Sequence, residues 1–270
     1  MRITITSMIG MMILILVAGI VAVRVLSPDG NVSGCFQPDV FVVLFETGAE
    51  EGGLGEPFFD SLPLSTEHDG ARWYLRPASS IPTSYIVSVA SLLTGLNPQE
   101  HMVSSARDVL SPALCTLAES FARSGYQTHA LIAPQSPLES CALLGGFMRV
   151  VAHRGRDSAP AILGYLAAHR RAKSPFFGFV EISESEAGSS EDLHRIVRDL
   201  VQPLREQRFF RSGLLILCFG GGSPTGPAGT GRPLLVLGGA PCQRIDGSLA
   251  ELQVGSFADL YDLLWMLTHS

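Results

Sequence analysis

Asp39–Gly48 reads DVFVVLFETG, one aspartate followed by an unbroken apolar run of valine, phenylalanine and leucine up to Phe45. A strand with one wet face alternates polar and apolar residues. A run without alternation belongs to a strand covered on both faces, the pattern of parallel sheets. Glu46 ends the run and Thr47-Gly48 supplies a turn.

Working outward toward the C-terminus, the same kind of segment returns as THALIA (128–133), FMRVVA (147–152), PFFGFVEI (175–182), GLLILCF (213–219) and PLLVLGG (233–239). Helical spacing separates them. Ser84–Leu93 predicts a helix stopped by Gly95, and 114–126, LCTLAESFARSGY, another that closes on Gly125. Ala159–Ala172 predicts a third. SSEDLHRIVRDLVQPLREQRFF (189–210) begins with a capping box at Ser189 or Ser190, runs as an amphipathic helix and predicts a kink at Pro203. FADLYDLLWMLTHS (257–270) predicts a last helix. Strands alternating with helices, and no internal repeat, predict an α/β domain: a central, mostly parallel sheet with helices on both faces.

Toward the N-terminus, 27–38 reads SPDGNVSGCFQP, a linker by its Gly, Pro and Ser content. Before it, Ile3–Val23 is free of charge: ITITSMIGMMILILVAGIVAV. At about 1.5 Å per residue this run spans roughly 31 Å as a helix, close to the hydrocarbon core of a bilayer. A cleaved signal peptide is the alternative, but no clear A-x-A site follows. Val32–Cys35 is similar to a lipoprotein box, yet it follows the polar SPDGN. The expected organisation is a signal anchor over 1–26, a linker over 27–38 and a single domain over 39–270. The N-terminus is expected in the cytoplasm and the domain on the periplasmic or extracytoplasmic side of a single-pass membrane protein.

A formal net charge of −6, with Lys173 the only lysine, excludes nucleic acid as a partner, since no basic stripe interleaved with aromatics is present. Cys35, Cys115, Cys141, Cys218 and Cys242 show neither CxxC nor metal spacing. In an exported domain Cys115 and Cys141 could pair, and the others read as buried thiols.

Five segments, in order, carry a resemblance. They are DVFVVLFETG, SVASLLTGLNPQEHMV (88–103), TLAESFARSGYQTHALIA (116–133), PFFGFVEI and VGSFADLYDLLWMLT (254–268). Together they resemble the alkaline phosphatase/sulfatase superfamily, compressed in length. The resemblance implies a site at the carboxyl ends of the strands, where divalent metals and a nucleophile attack a phosphate or sulfate ester. That chemistry needs several carboxylate and imidazole ligands on one ion and cations for the developing charge.

Taken position by position, the resemblance places the first metal ligand at Glu46, a carboxylate some transferases of the superfamily use; Glu50 and Glu51 beyond it read as surface acids. The nucleophile position falls on Tyr85 and the activating arginine on Val89, with Val87 and Ser88 where sulfatases have Pro and Ser. Thr83 and Ser84 are out of phase on the helix and read as caps. The Lys and His that follow the THALIA strand fall near Pro134 and Ser136. Glu181, Glu184 and Glu186 form an acidic stretch expected to repel an anionic ester. The Asp-His ligand pair falls on Gly220 and Gly221, in LLILCFGGGSPTGPAGTG, which also lacks the Lys-Ser/Thr of a P-loop. His101 matches a common histidine of the family. His68, His129, His153, His169, His194 and His269 show no ligand spacing. The expectation is no catalytic residue, no cofactor and no metal, with Tyr85, Val89, Glu46, Gly220 and Gly221 as vestiges.

Two functions remain open at this point. The favoured one is a pseudoenzyme acting as a scaffold. It would be an accessory subunit of an envelope or energy-transducing (respiratory or photosynthetic) assembly, bound to the bilayer through 3–23 and to other membrane subunits of unknown identity. Gly10, Ala18, Gly19 and Ala22 would allow close helix approach. The alternative is a divergent metal-dependent hydrolase or transferase of phosphate or sulfate esters outside the membrane, with Thr83, Ser84 or Tyr85 as nucleophile.

Overall fold

A computed structural model describes residues 37–46, 72–77, 84–153, 158–169, 174–182, 190–220, 234–239 and Leu264. The chain divides after Phe36, and residues 37–270 form a compact unit. The apolar run 3–23 lies outside the described residues, and no described helix is long and apolar enough to cross a membrane.

The sheet has seven strands, β1 Val40–Glu46, β2 Arg72–Pro77, β3 Gln127–Ile132, β4 Arg149–Ala152, β5 Phe176–Ile182, β6 Leu214–Gly220 and β7 Leu234–Gly239. They lie in the order β2-β7-β6-β1-β5-β3-β4. The five from β6 to β4 are parallel, as the alternation of strands with helices predicts, and β7 and β2 close one side with antiparallel pairings. β2, RWYLRP, is a strand the sequence reading does not anticipate. It sits at the sheet's edge, where Pro77 at its end disturbs least.

The helices are α1 Tyr85–Thr94, the short α2 Pro98–His101, α3 Leu117–Arg123, α4 Ser158–His169 and α5 Ser190–Glu206, with a 3-10 turn at Phe209–Arg211. Two cores flank the sheet. Val40, Val42 and Leu44 of β1 pack with α1 and α3 on one side. Phe41, Val43 and Phe45 pack with α4 and α5 on the other. The alternation of β1 into two buried faces is the physical content of its unbroken hydrophobic run. Helix α5 contains Pro203, the position where a kink is expected, within its span. Of the C-terminal segment only Leu264 is described; it is helical and buried in the first core.

Helix α3 is shorter than the 114–126 pattern because Thr116 stops it at the front. Thr116 Oγ1 accepts the Glu119 amide at 3.1 Å, and Glu119 Oε2 accepts the Thr116 amide at 3.0 Å, a reciprocal cap. Thr94-Gly95 ends α1 in the same local manner. Gly95 takes a left-handed conformation (φ 70°), and its amide returns to Ser91 O at 2.9 Å.

Candidate functional site

The carboxyl ends of the parallel strands, where the resemblance places the chemistry, meet the start of α1. Strand register sets Glu46 beside Gly220 and Leu44 beside Glu181. Tyr85, the first residue of α1, donates its phenol hydrogen to Glu181 Oε1 at 2.5 Å. The other oxygen, Oε2, accepts the Ala133 amide at 3.0 Å, just beyond β3. His153 Nε2 lies 3.1 Å from the Glu181 carbonyl. A carbonyl only accepts, so Nε2 carries the hydrogen and donates.

Glu181 is 2% exposed. It therefore does not belong to an acidic surface that repels esters, as the sequence reading has it. A carboxylate is tolerated in such a place only when its lone pairs are used, and here one oxygen ties α1 and the other ties the β3 exit. The group sits within the fold as a cross-link between three elements. Glu184 and Glu186 lie outside the described residues.

Of the remaining predicted positions, those that are described are not brought together as a catalytic set. Val89 is fully buried in the core and Val87 is 7% exposed. Pro134 is exposed, while Ser136 turns inward and its Oγ accepts the Leu138 amide at 3.2 Å. Ser84 is the first cap residue of α1 by its backbone, but its hydroxyl caps nothing. Its own carbonyl holds the Val87 and Ser88 amides, and Ser84 Oγ is buried without a partner among the described residues. Ser84 is thus the expected cap by position, made through its backbone. Thr83, Glu50, Glu51 and Gly221 lie outside the described residues, and of Glu46 and Gly220 only the backbone is described.

The described donors at the strand ends do not by themselves make a divalent-ion site. Gly220 has no side chain to offer at the strand end, and the Tyr85–Glu181 pair holds the carboxyl against α1 and the Ala133 amide. Among the described residues no group of three or more His, Cys, Asp or Glu is placed to hold a metal.

His101 has a structural task. It is 1% exposed, and its Nδ1 accepts the Val103 amide at 3.0 Å. Nε2 must then carry the hydrogen, which it donates to Ser91 Oγ at 3.1 Å. The ring thus staples the α2 exit to α1. Burial lowers its pKa from the ordinary 6.5, the nearby Glu100 opposing in part. The stability tied to the neutral ring is fully present above 6.5 and is lost as pH falls through the lowered native value, because a proton on Nδ1 displaces the Val103 amide. Urea denaturation of the wild type is therefore expected to show stability falling as pH drops from 6.5 to that lowered value, and His101→Gln a flatter profile over the same window. An equal slope in both proteins would show that another group carries the acid sensitivity. His129 packs edge-on against Tyr165 and Phe176, and the side chains of His68, His169 and His269 lie outside the description.

Cys115, Cys141 and Cys218 are free thiols, so the Cys115–Cys141 pairing is not formed. Cys141 is fully buried, with Sγ toward Ser105 O, whereas Cys115 Sγ lies against Ser120 and receives Arg123 Nη1 at 3.3 Å.

No protein-family profile matches the chain, and no curated protein sequence matches it. Solved structures do. An alkaline phosphatase superfamily protein from Vibrio parahaemolyticus aligns with a TM-score of 0.52 at 14% identity, over 75% of this chain and 60% of that one. The chain thus spans about three fifths of that protein's length. The lipoteichoic acid synthase LtaP from Listeria monocytogenes aligns at 0.53 and 10% identity over 79% of this chain and 68% of that one. The C-terminal periplasmic domain of EptC from Escherichia coli aligns at 0.51 and 12% identity, over 86% and 82%. Several further matches are sulfatases. These likenesses are likenesses of fold: with its parallel sheet of five strands, the chain has the fold of the alkaline phosphatase superfamily.

Proposed function

We propose that the chain is a membrane-anchored, catalytically inactive sulfatase-like domain that serves as a protein-interaction or scaffold module, an accessory subunit of a larger membrane assembly. An envelope or energy-transducing complex, respiratory or photosynthetic, is the kind of assembly meant. The observation that carries inactivity is the Tyr85–Glu181 hydrogen bond of 2.5 Å. The residue at the nucleophile position is committed to Glu181, whose carboxyl group ties three elements together, beside a strand end where the ligand position is Gly220. Anchoring is supported by the uncharged run 3–23 and by the likeness to a periplasmic domain. Orientation with the domain outside the cytoplasm, and contact with other membrane subunits, follow from that reading.

One feature also favours the divergent enzyme. A carboxylate within hydrogen-bond reach of a phenol is where a general base would stand if Tyr85 were a nucleophile. The full-length protein, extracted in mild detergent, decides between them by metal analysis together with turnover of p-nitrophenyl phosphate and p-nitrophenyl sulfate. The scaffold reading expects no stoichiometric divalent ion and no turnover above the Tyr85→Phe variant. One bound ion per chain with turnover that Tyr85→Phe abolishes would overturn it. Partners are identified by what co-elutes from the same mild extraction.

A further inference from the structure

The starts of the parallel strands form one edge of the domain, opposite the candidate site. Gln37 Nε2 donates to Ser124 O at 3.2 Å, and the Gln127 amide to Pro175 O at 2.9 Å. Asp39 accepts the Phe176 amide on Oδ1 at 3.0 Å and the Leu214 amide on its carbonyl at 2.7 Å. These bonds gather the beginnings of β1, β3, β5 and β6, and with them the point where the chain enters the domain.

The described connections that meet at this edge are 124–126, 174–175 and 207–213. They hold Arg208 and Arg211 and no acid, in a chain whose net charge is −6. Of the described side chains, Arg208 and Arg211 are exposed, and so is Arg149 at the start of β4. Next to Arg149 stands Met148, 71% exposed. The nearby acids are few: Asp39 is occupied by the Phe176 amide, and Glu206 accepts from Gln202. Strands about 4.8 Å apart, from β6 to β4, spread this edge over roughly 19 Å.

The helix dipole favours cations at helix ends, which covers Arg205 and Arg211 in their last turns. It does not cover Arg149 at a strand start or an exposed methionine beside it. Cations around an exposed apolar side chain match the headgroup layer of an anionic bilayer, where phosphates take the charges and the apolar group enters the interface. The covalent path permits this orientation without fixing it. The chain enters this edge at Gln37, with 24–36 between it and the apolar run. Fully extended, at about 3.4 Å per residue, that segment reaches roughly 44 Å, so the linker alone leaves the domain's height and tilt unfixed.

We propose that this edge is a docking surface for anionic phospholipid headgroups, with Arg149, Arg208 and Arg211 on phosphates and Met148 in the interface. It rests on the membrane-anchored reading. It adds that the domain lies on the bilayer strand-starts down, with the carboxyl-end site and the opposite edge turned to solvent and partners.

The test uses the full chain in nanodiscs of phosphatidylcholine alone or mixed with phosphatidylglycerol, read by hydrogen–deuterium exchange. Amides of 144–150 and 205–213 are expected to exchange about tenfold more slowly in the anionic discs. The protection should vanish at about 0.5 M salt, where the Debye length is roughly 4 Å, and in an Arg208→Glu/Arg211→Glu variant whose melting temperature is unchanged. Equal exchange in both lipids, or protection that survives charge reversal, would overturn the docking surface. Resistance to carbonate extraction reads the anchor separately. Should the chain fail to stay in the disc, flotation of the same protein with phosphatidylglycerol vesicles still decides: floating lost in the charge-reversed variant supports the basic edge, and no floating refutes it.

Discussion

Gly146→Ala is expected to destabilise the domain by about 3–4 kcal/mol, a large share of the roughly 5–15 kcal/mol that holds a domain folded. Gly146 has φ +85°, where a side chain is strained. A Cβ there would stand 2.3 Å from the Glu119 amide nitrogen and 2.7 Å from its Cα. Both are backbone atoms in the first turn of α3, and that turn is already held by the Thr116–Glu119 cap. Thr116 Oγ1 also donates to Gly145 O, and Thr128 Oγ1 to Gly146 O, each at 2.7 Å, so the 145–146 segment is pinned from two sides and cannot retreat. At about 2–4 °C per kcal/mol for a domain of this size, thermal denaturation should fall by roughly 10 °C. Gly164→Ala in α4 is the control. Nothing lies within 4 Å of its added Cβ, and a helical glycine replaced by alanine gains about 0.5–1 kcal/mol. A Gly146→Ala loss below about 1 kcal/mol would show that the α3 turn yields, against the rigidity argued from its two hydroxyl clamps.

What the sequence made legible follows from how local each signal is. The buried strands announce themselves because both faces are covered, leaving Val40–Phe45 and Phe176–Ile182 no polar residue except Glu181. The end of α1 is written in Thr94-Gly95, and the start of α3 in Thr116-x-x-Glu119. The reversal at β7 was also within reach. The 221–233 stretch between β6 and β7 is too rich in Gly and Pro to form the crossover helix a parallel neighbour requires, and antiparallel neighbours need none. Strand β2 is harder to see, since an edge strand of six residues ending in proline gives little periodicity. The role of Glu181 could not be read at all. A lone acid at a strand end looks the same whether water or a tyrosine 96 positions away receives it. His101 misleads for the same reason, because its partners Ser91 and Val103 become visible only once α1 and α2 are folded against each other.

Tyr85→Phe is expected to cost about 2 kcal/mol, the range for removing one hydrogen bond from a buried carboxyl group, and to lower the melting temperature by roughly 6 °C. The phenyl ring keeps the packing of Tyr85 against the first core, so the loss isolates the hydroxyl. A second variant sharpens the reading. Replacing both partners, Tyr85→Phe with Glu181→Leu, removes the buried acid along with its donor and takes this acceptor from the Ala133 amide. Its cost is expected to fall short of the sum of the single variants by about 1–2 kcal/mol, the signature of direct coupling in a double-mutant cycle. Additivity would mean that the 2.5 Å contact does not link α1 to β5 energetically, and the cross-link would lose its support. The same pair of proteins separates structural from catalytic use of the tyrosine. A nucleophile is required at every temperature, whereas a cross-link is required only near the melting transition. If Tyr85 is a cross-link, the Phe variant held well below its transition retains every partner that co-elutes with the wild type. If it is a nucleophile, ester turnover is lost at that temperature although the fold is intact, and the carboxyl group of Glu181 becomes its base rather than its strut.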